Sequence, residues 1–213
     1  MALLIFAFIL GLSMDYQVFI LERDLGSKVS VSFGPKPLLL TAIDHQVQYV
    51  SLDSDDVGFG SAMDLKVHAR LNDITLIDDG RGGADVGSSS VEATWSNDGI
   101  AQTLKGLVSE VRTDSRTGVL ELQVLGGIAD LQVTPHIVGG RVEANTRSAQ
   151  LFGIGLPTDL ADSIVELLTK ILQSYPMDLK PTEVRITDSG ITVRPSGGAT
   201  RLQPDQNGET ISC

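Results

Sequence analysis

Between Pro157 and Pro176 the chain carries a helical pattern whose two faces do not mix. Stepping 100° per residue, Leu160, Ala161, Ile164, Val165, Leu167, Leu168, Ile171 and Leu172 fall on one arc of roughly 160°. Asp159, Asp162, Ser163, Glu166, Thr169, Lys170, Gln173 and Ser174 fill the remainder. Pro157 suits a helix start, where its missing N–H is not needed. Asp159 and Asp162 place negative charge where the helix dipole favours it. Pro176 stops the helix. A helix so divided must bury one side against a large apolar surface. Nothing on it is a catalytic group.

What surrounds the helix reads as short strands. Glu183–Arg194 alternates, and Thr187-Asp188-Ser189-Gly190 has the chemistry of a hairpin turn. Val29–Phe33 is a strand that Gly34-Pro35-Lys36-Pro37 breaks. Leu38–Ile43 is a short apolar run, a helical turn or a buried strand. His45–Leu52 is a strand. Leu65, Val67, Ala69 and Leu71 face one way while Lys66, His68 and Arg70 face the other. Asp78–Gly87 reads as a Gly/Asp loop and Val91–Trp95 as a strand. Asn97 caps a short helix running to Leu107, with Ile100, Ala101, Leu104 and Leu107 inward. Val119–Val124, Ile128–Val138, Arg141–Ser148 and Leu151–Leu156 are strands, with Gly126-Gly127 and Gly139-Gly140 as turns. Gln203–Cys213 is polar and expected to be disordered. No fixed-period repeat is visible.

Strands adjacent in sequence and joined by short turns pair antiparallel. The expected fold class is therefore α+β: a curved antiparallel β-sheet wrapped on one long amphipathic helix, plus a short helix. Such a wrap leaves an aliphatic groove between helix and sheet, the kind of pocket that takes lipids. Hydrophobic residues make up 42% of the chain and aromatics 5%, so its lining would be aliphatic.

The function classes thin out quickly. A net charge of −11 opposes nucleic-acid binding and a polybasic grip on anionic membrane. The one cysteine, Cys213, is the last residue, so no intrachain disulfide forms, and it lies too far along for a lipoprotein acylation site. His45, His68 and His136 are scattered on what read as solvated strand faces, without metal-ligand spacing. Asp53, Asp55 and Asp56, and Asp78, Asp79 and Asp85, lack a calcium-loop spacing and read as solvated turns. Gly87-Ser88-Ser89-Ser90 is no nucleophile elbow. Gly153-x-Gly155 runs into Pro157 and is no dinucleotide loop. No catalytic residue, metal site or cofactor is expected, and the chain is read as not an enzyme.

Four blocks carry a resemblance: Val133-Thr-Pro-His-Ile-Val-Gly-Gly-Arg-Val142, Leu151-Phe-Gly-Ile-Gly-Leu-Pro157, Tyr175-Pro-Met-Asp-Leu-Lys-Pro-Thr-Glu-Val184 and Asp188-Ser-Gly-Ile-Thr-Val193. Upstream, Val29-Ser-Val-Ser-Phe-Gly-Pro-Lys-Pro-Leu-Leu-Leu40 and Asp55-Asp-Val-Gly-Phe-Gly60 join them in order. Together, over about Leu25–Pro204, the chain resembles the actinobacterial DUF2993 family, the LmeA-like phospholipid-binding proteins. The resemblance implies a lipid-binding, TULIP-like fold, phospholipid as ligand, an extracytoplasmic place in the cell envelope, and support of envelope lipid or lipoglycan assembly or transport. It implies no enzyme activity. It makes Ala161, Ile164, Val165, Leu168, Ile171 and Leu172 the expected lining of the groove. Lys36 is either a solvated loop lysine or a contact for the phosphate head group. The alternative is a non-lipid accessory or scaffold module, with a closed interior, partnering an MmpL-type transporter or a glycosyltransferase complex.

The N-terminus stands apart. Ala2–Leu12 is an unbroken apolar run, Val18–Leu21 adds another, and the whole is about the length of a membrane span. It lacks the basic start and small-x-small site of a signal peptide. Gly11-Leu-Ser-Met-Asp-Tyr-Gln-Val-Phe-Ile-Leu-Glu-Arg23 resembles a transmembrane helix of the MmpL branch of the RND transporters. The relay role of that family's Asp-Tyr pair does not carry over to Asp15 and Tyr16, because its partner helices are missing. Residues 1–23 are thus a membrane anchor, or else a fusion remnant or misplaced start. Residues 24–204 are the lipid-binding domain, and residues 205–213 the tail.

Overall fold

The computed structural model describes residues 29–35, 43–59, 62–78, 83–151, 154–155, 158–173, 175 and 179–203. The proposed N-terminal span, the polar tail, Lys36, Pro157 and Pro176 all lie outside them.

Twelve strands and two helices make up the described elements. In chain order they are β1 (Val29–Phe33), β2 (Gln46–Phe59), β3 (Ala62–Ile77), β4 (Gly83–Ser96), α1 (Asn97–Thr103), β5 (Val108–Asp114), β6 (Val119–Val124), β7 (Ala129–Val138), β8 (Arg141–Leu151), β9 (Ile154–Gly155), α2 (Thr158–Leu172), β10 (Lys180–Thr187), β11 (Gly190–Gly197) and β12 (Thr200–Leu202). In place of the one sheet expected, the strands form two. One runs β1-β2-β3-β4-β11-β10, with β12 also on β4, and the other runs β5-β6-β7-β8-β9. Pairing is antiparallel from β1 to β2, from β12 to β4, and throughout the five-stranded sheet.

The chain divides into two compact units. The first holds residues 1–55, 67–91 and 196–213. Its interior is Val29, Val47, Val50, Ala69, Leu71, Ile74, Ala84, Val86 and Leu202. Alternation on β3 follows the sequence pattern: Ala69 and Leu71 are buried, while Lys66 and His68 are exposed. His68 hydrogen-bonds Asp53. Arg70 lies over the Tyr49 ring, 3.8 Å from its centroid.

The second unit holds residues 56–66 and 92–195, and with them both helices, the five-stranded sheet and a continuous aliphatic core. Ser96 caps α1 by accepting from Gly99 N at 2.9 Å. Gly99 is required there, because a Cβ would lie 2.5 Å from Met63 O. That same carbonyl accepts from Trp95 Nε1 at 3.0 Å, and Met63 N donates to Thr103 Oγ1 at 3.0 Å. The start of β3 therefore fastens both ends of α1.

Several local readings are corrected. The Asp78–Gly87 loop is strand from Gly83 onward, since β12 supplies a partner 116 residues away and Arg201 forks onto Asp85 at 2.7 and 2.9 Å. Asp53 and Asp55 lie within β2, not in a turn. His45, at φ 56°, precedes that strand instead of beginning it. The helix expected from Asn97 to Leu107 ends at Thr103, and its cap is Ser96. Leu107 is exposed, and the chain turns at once into β5, a strand the sequence reading missed. The single strand expected over Leu151–Leu156 is divided, because Leu151 ends β8 and Ile154–Gly155 form β9, antiparallel to it with Leu151 opposite Ile154.

Candidate functional site

The apolar face of α2 is the place where the sequence put a site. Its burial follows the helical stripe. Ala161, Ile164, Leu168 and Leu172 are buried, the middle two completely. Leu160, Val165, Leu167 and Ile171 are half-buried and pack on the same cluster. Asp159, Asp162, Ser163, Glu166 and Lys170 are exposed. Asp159 lies in the first turn and Lys170 in the last, both favourable to the helix dipole. The structure thus gathers all six expected lining residues, Ala161, Ile164, Val165, Leu168, Ile171 and Leu172, in one core. That core includes Leu120, Leu122, Leu131, Val133 and Val142 of β6, β7 and β8.

Two residues from the polar arc do something the pattern did not announce. Thr169 Oγ1 accepts from Ala144 N at 3.2 Å, and Gln173 Nε2 donates to Val142 O at 2.9 Å. Over Arg141–Ala149, β8 pairs with β7 on one side. On the other side these two side chains take up backbone groups that an edge strand leaves open. An uncovered edge invites pairing with another chain, and a helix laid along it is a standard protection. The helix is therefore set by two different contacts: aliphatic burial on one face and polar capping of β8 at its flank.

One polar group in this neighbourhood was missed from the sequence. The Tyr175 hydroxyl is buried and has no hydrogen-bond partner among the described residues, and burial pushes its pKa well up. Tyr175 packs on the same cluster as α2. A phenol hydroxyl can donate one bond and accept another. An ester or phosphate oxygen would satisfy it. The only signal for it in the sequence is an aromatic residue in a chain with few.

Among the described residues no histidine, cysteine and acidic side chains are grouped as a metal would need. No described helix is long and apolar enough to cross a membrane. A charge cluster lies on the surface of the second unit. Arg194 bonds Glu92 at 2.6 Å and Glu183 at 2.7 Å, Arg185 adds a second bond to Glu183, and these guanidinium groups hold the Glu183 carboxyl below its ordinary range.

A family model for LmeA-like phospholipid-binding proteins matches residues 21–195. The chain belongs to the LmeA-like phospholipid-binding family. The match runs through both compact units and takes in both helices and every described strand except β12 and the last two residues of β11, so it rests on most of the described architecture and not on one motif. It covers the blocks on which the resemblance was drawn. Comparison with curated proteins and with solved structures gave no match.

Proposed function

We propose that this protein is a non-catalytic phospholipid-binding protein of an actinobacterial cell envelope. It acts outside the cytoplasm, is held near the membrane by residues 1–23, and supports assembly or transport of envelope lipids or lipoglycans. The observation that carries this reading is the family match across residues 21–195. The aliphatic face of α2 is consistent with it. An acyl chain lying against Ala161, Val165, Ile171 and their neighbours would gain about 0.8 kcal/mol per buried CH₂. The Tyr175 hydroxyl is the group assigned to the polar end of the lipid.

Native mass spectrometry of the full chain tests the proposal. The expected result is a set of adducts at phospholipid masses, together with uptake of a fluorescent phospholipid and no turnover of it. Bare protein with no uptake overturns the reading. One observation favours the second reading, an accessory module partnering an MmpL-type transporter or a glycosyltransferase complex. Ile164 and Leu168 are fully buried, as they would be in a closed interior. Location is tested separately, by protease accessibility of the protein in intact spheroplasts.

A further inference from the structure

The end of the five-stranded sheet formed by the start of β5, the β6–β7 turn and the start of β7 exposes large aliphatic side chains. Leu107 is 39% exposed, Leu125 46% and Ile128 48%. The register brings them together. Val108 pairs with Val124, and Val124 with Ala129, so each of the three leucine and isoleucine residues lies one step beyond a paired position on three neighbouring strands. Neighbouring strands are about 5 Å apart, which makes this one patch.

The turn itself argues that the patch is selected. Gly127 N donates to Val124 O at 3.1 Å, and the two central residues, Leu125 and Gly126, have φ of 54° and 71°. Two successive central residues at positive φ are what a type I′ turn has, and Asn, Asp or Gly adopt that backbone most readily. A leucine there is opposed twice: by its backbone, since a bulky residue at positive φ is strained, and by water, since its side chain is exposed. An asparagine would relieve both. The charge pattern points the same way. Leu104–Ser109 and Gln123–Ala129 together hold a single charge, the exposed Lys105, in a chain of net charge −11, and the acids that follow directly, Glu110 and Asp130, both act on Arg112, which bonds Glu110 at 2.8 Å. Lys105 forms a bridge to Val108, at this same end of the sheet.

We propose that this tip is where the protein docks on a phospholipid bilayer. Leu107, Leu125 and Ile128 enter the interface, and Lys105 meets the phosphate groups of the lipid surface. The inference rests on the phospholipid-binding reading and adds the surface through which the protein meets the membrane that holds its ligand. Aliphatic side chains on a rigid turn insert without the ordering cost of a flexible loop. One cation suits a headgroup layer that the rest of this acidic chain would be repelled by.

The test uses the full chain with Cys213→Ser and a single new cysteine, Ile128→Cys or Val138→Cys, each carrying an environment-sensitive dye. Val138 is the control, because it is exposed and aliphatic but lies at the other end of β7, about 30 Å away. Vesicles of phosphatidylglycerol and phosphatidylcholine contain a nitroxide lipid that quenches only within the bilayer. The expected result is quenching at position 128 and none at 138. Leu125→Asn combined with Leu107→Ser, in the chain labelled at 128, should weaken that quenching by about tenfold or more. Because the readout is local, attachment through residues 1–23 does not produce it. Equal quenching at both positions, or none at 128, overturns the proposal. So does a dimer of the full chain that Leu125→Asn dissociates without any effect of vesicles, which would make a second copy the occupant. Uptake of a water-soluble short-chain phosphatidylcholine separates the two readings. Uptake without quenching at 128 sinks the tip and leaves the function. Quenching at 128 without uptake sinks the function and leaves the tip.

Discussion

Gly190 shows how closely the second unit is fitted. A Cβ placed there would lie 2.0 Å from Trp95 O and 2.9 Å from the carbon that bears it. Neither atom is the end of a flexible side chain, so the β10–β11 turn or β4 would have to move. Gly190→Ala should therefore destabilise by about 2–3 kcal/mol, as over-packing against backbone does. Gly198→Ala, with open space around it, should stay within about 0.5 kcal/mol of the parent. Urea unfolding of the two variants checks the pair, and equal midpoints would contradict the close approach. Tyr175 gives the opposite sign. A buried hydroxyl without a partner costs about 1–3 kcal/mol, so Tyr175→Phe should raise the ligand-free stability by about 1 kcal/mol. The same variant should weaken phospholipid uptake, because Tyr175 packs on the α2 cluster and its hydroxyl has no partner among the described residues. A loss of stability would show that the hydroxyl is already bonded in solution.

At the scale of elements, α2 was the most legible part of the chain, for a physical reason. A period of 3.6 held over fifteen residues leaves one arrangement that turns every aliphatic side chain onto the core and no charge, and that is the observed one. Ile164 and Leu168 sit at the middle of the buried face. Ile164→Asp should bury an unpaired carboxylate and cost about 3–5 kcal/mol. Circular dichroism on heating checks this, and an unshifted transition would mean the face is open to water. The elements that escaped the sequence are those whose identity depends on a distant partner. The stretch Gly83–Ser90 has the composition of a loop and becomes strand because β12 lies against it, with Thr200 opposite Val86. Asp53 looks like turn residue and sits in the middle of β2, its carboxylate taken by His68. The β5 strand escaped because Leu104 and Leu107 continue a helical period past Thr103, where the helix ends, and Gly106, at φ 95°, already belongs to the turn into the strand. The covering of the β8 edge by Thr169 and Gln173 could not be read either, since polar residues on a helix flank look solvated until an open strand edge is known to lie beside them.

For the whole molecule the question is what lies outside the packed interior and what can enter it. The family match begins at residue 21, where the apolar N-terminal run gives way to alternating sequence. Deleting Met1–Arg23 should therefore leave a folded, soluble domain and abolish membrane retention in cells, checked by fractionation and a melting curve. Failure to fold would make the segment part of a core. Entry of lipid is the sharper matter, because the residues assigned to the ligand are also core. Ala161 is 4% exposed and Val165 half-buried, both toward one edge of the apolar arc. An indole at either position occupies the volume an acyl chain would take. In a solid interior, over-packing costs about 1–3 kcal/mol, which for a chain of this length lowers the melting temperature by roughly 2–12 °C. In an interior that opens for lipid, the ring fills space already set aside, and the melting temperature of the ligand-free protein barely moves. The expected outcome for Val165→Trp is loss of fluorescent phospholipid uptake with a shift below about 2 °C. Ala161→Trp, deeper in the cluster, should lose uptake with a larger shift. If both variants fell by the full over-packing cost and the parent took up no lipid, α2 would be structural alone. The accessory-module reading would then account for the protein better than the lipid-binding one.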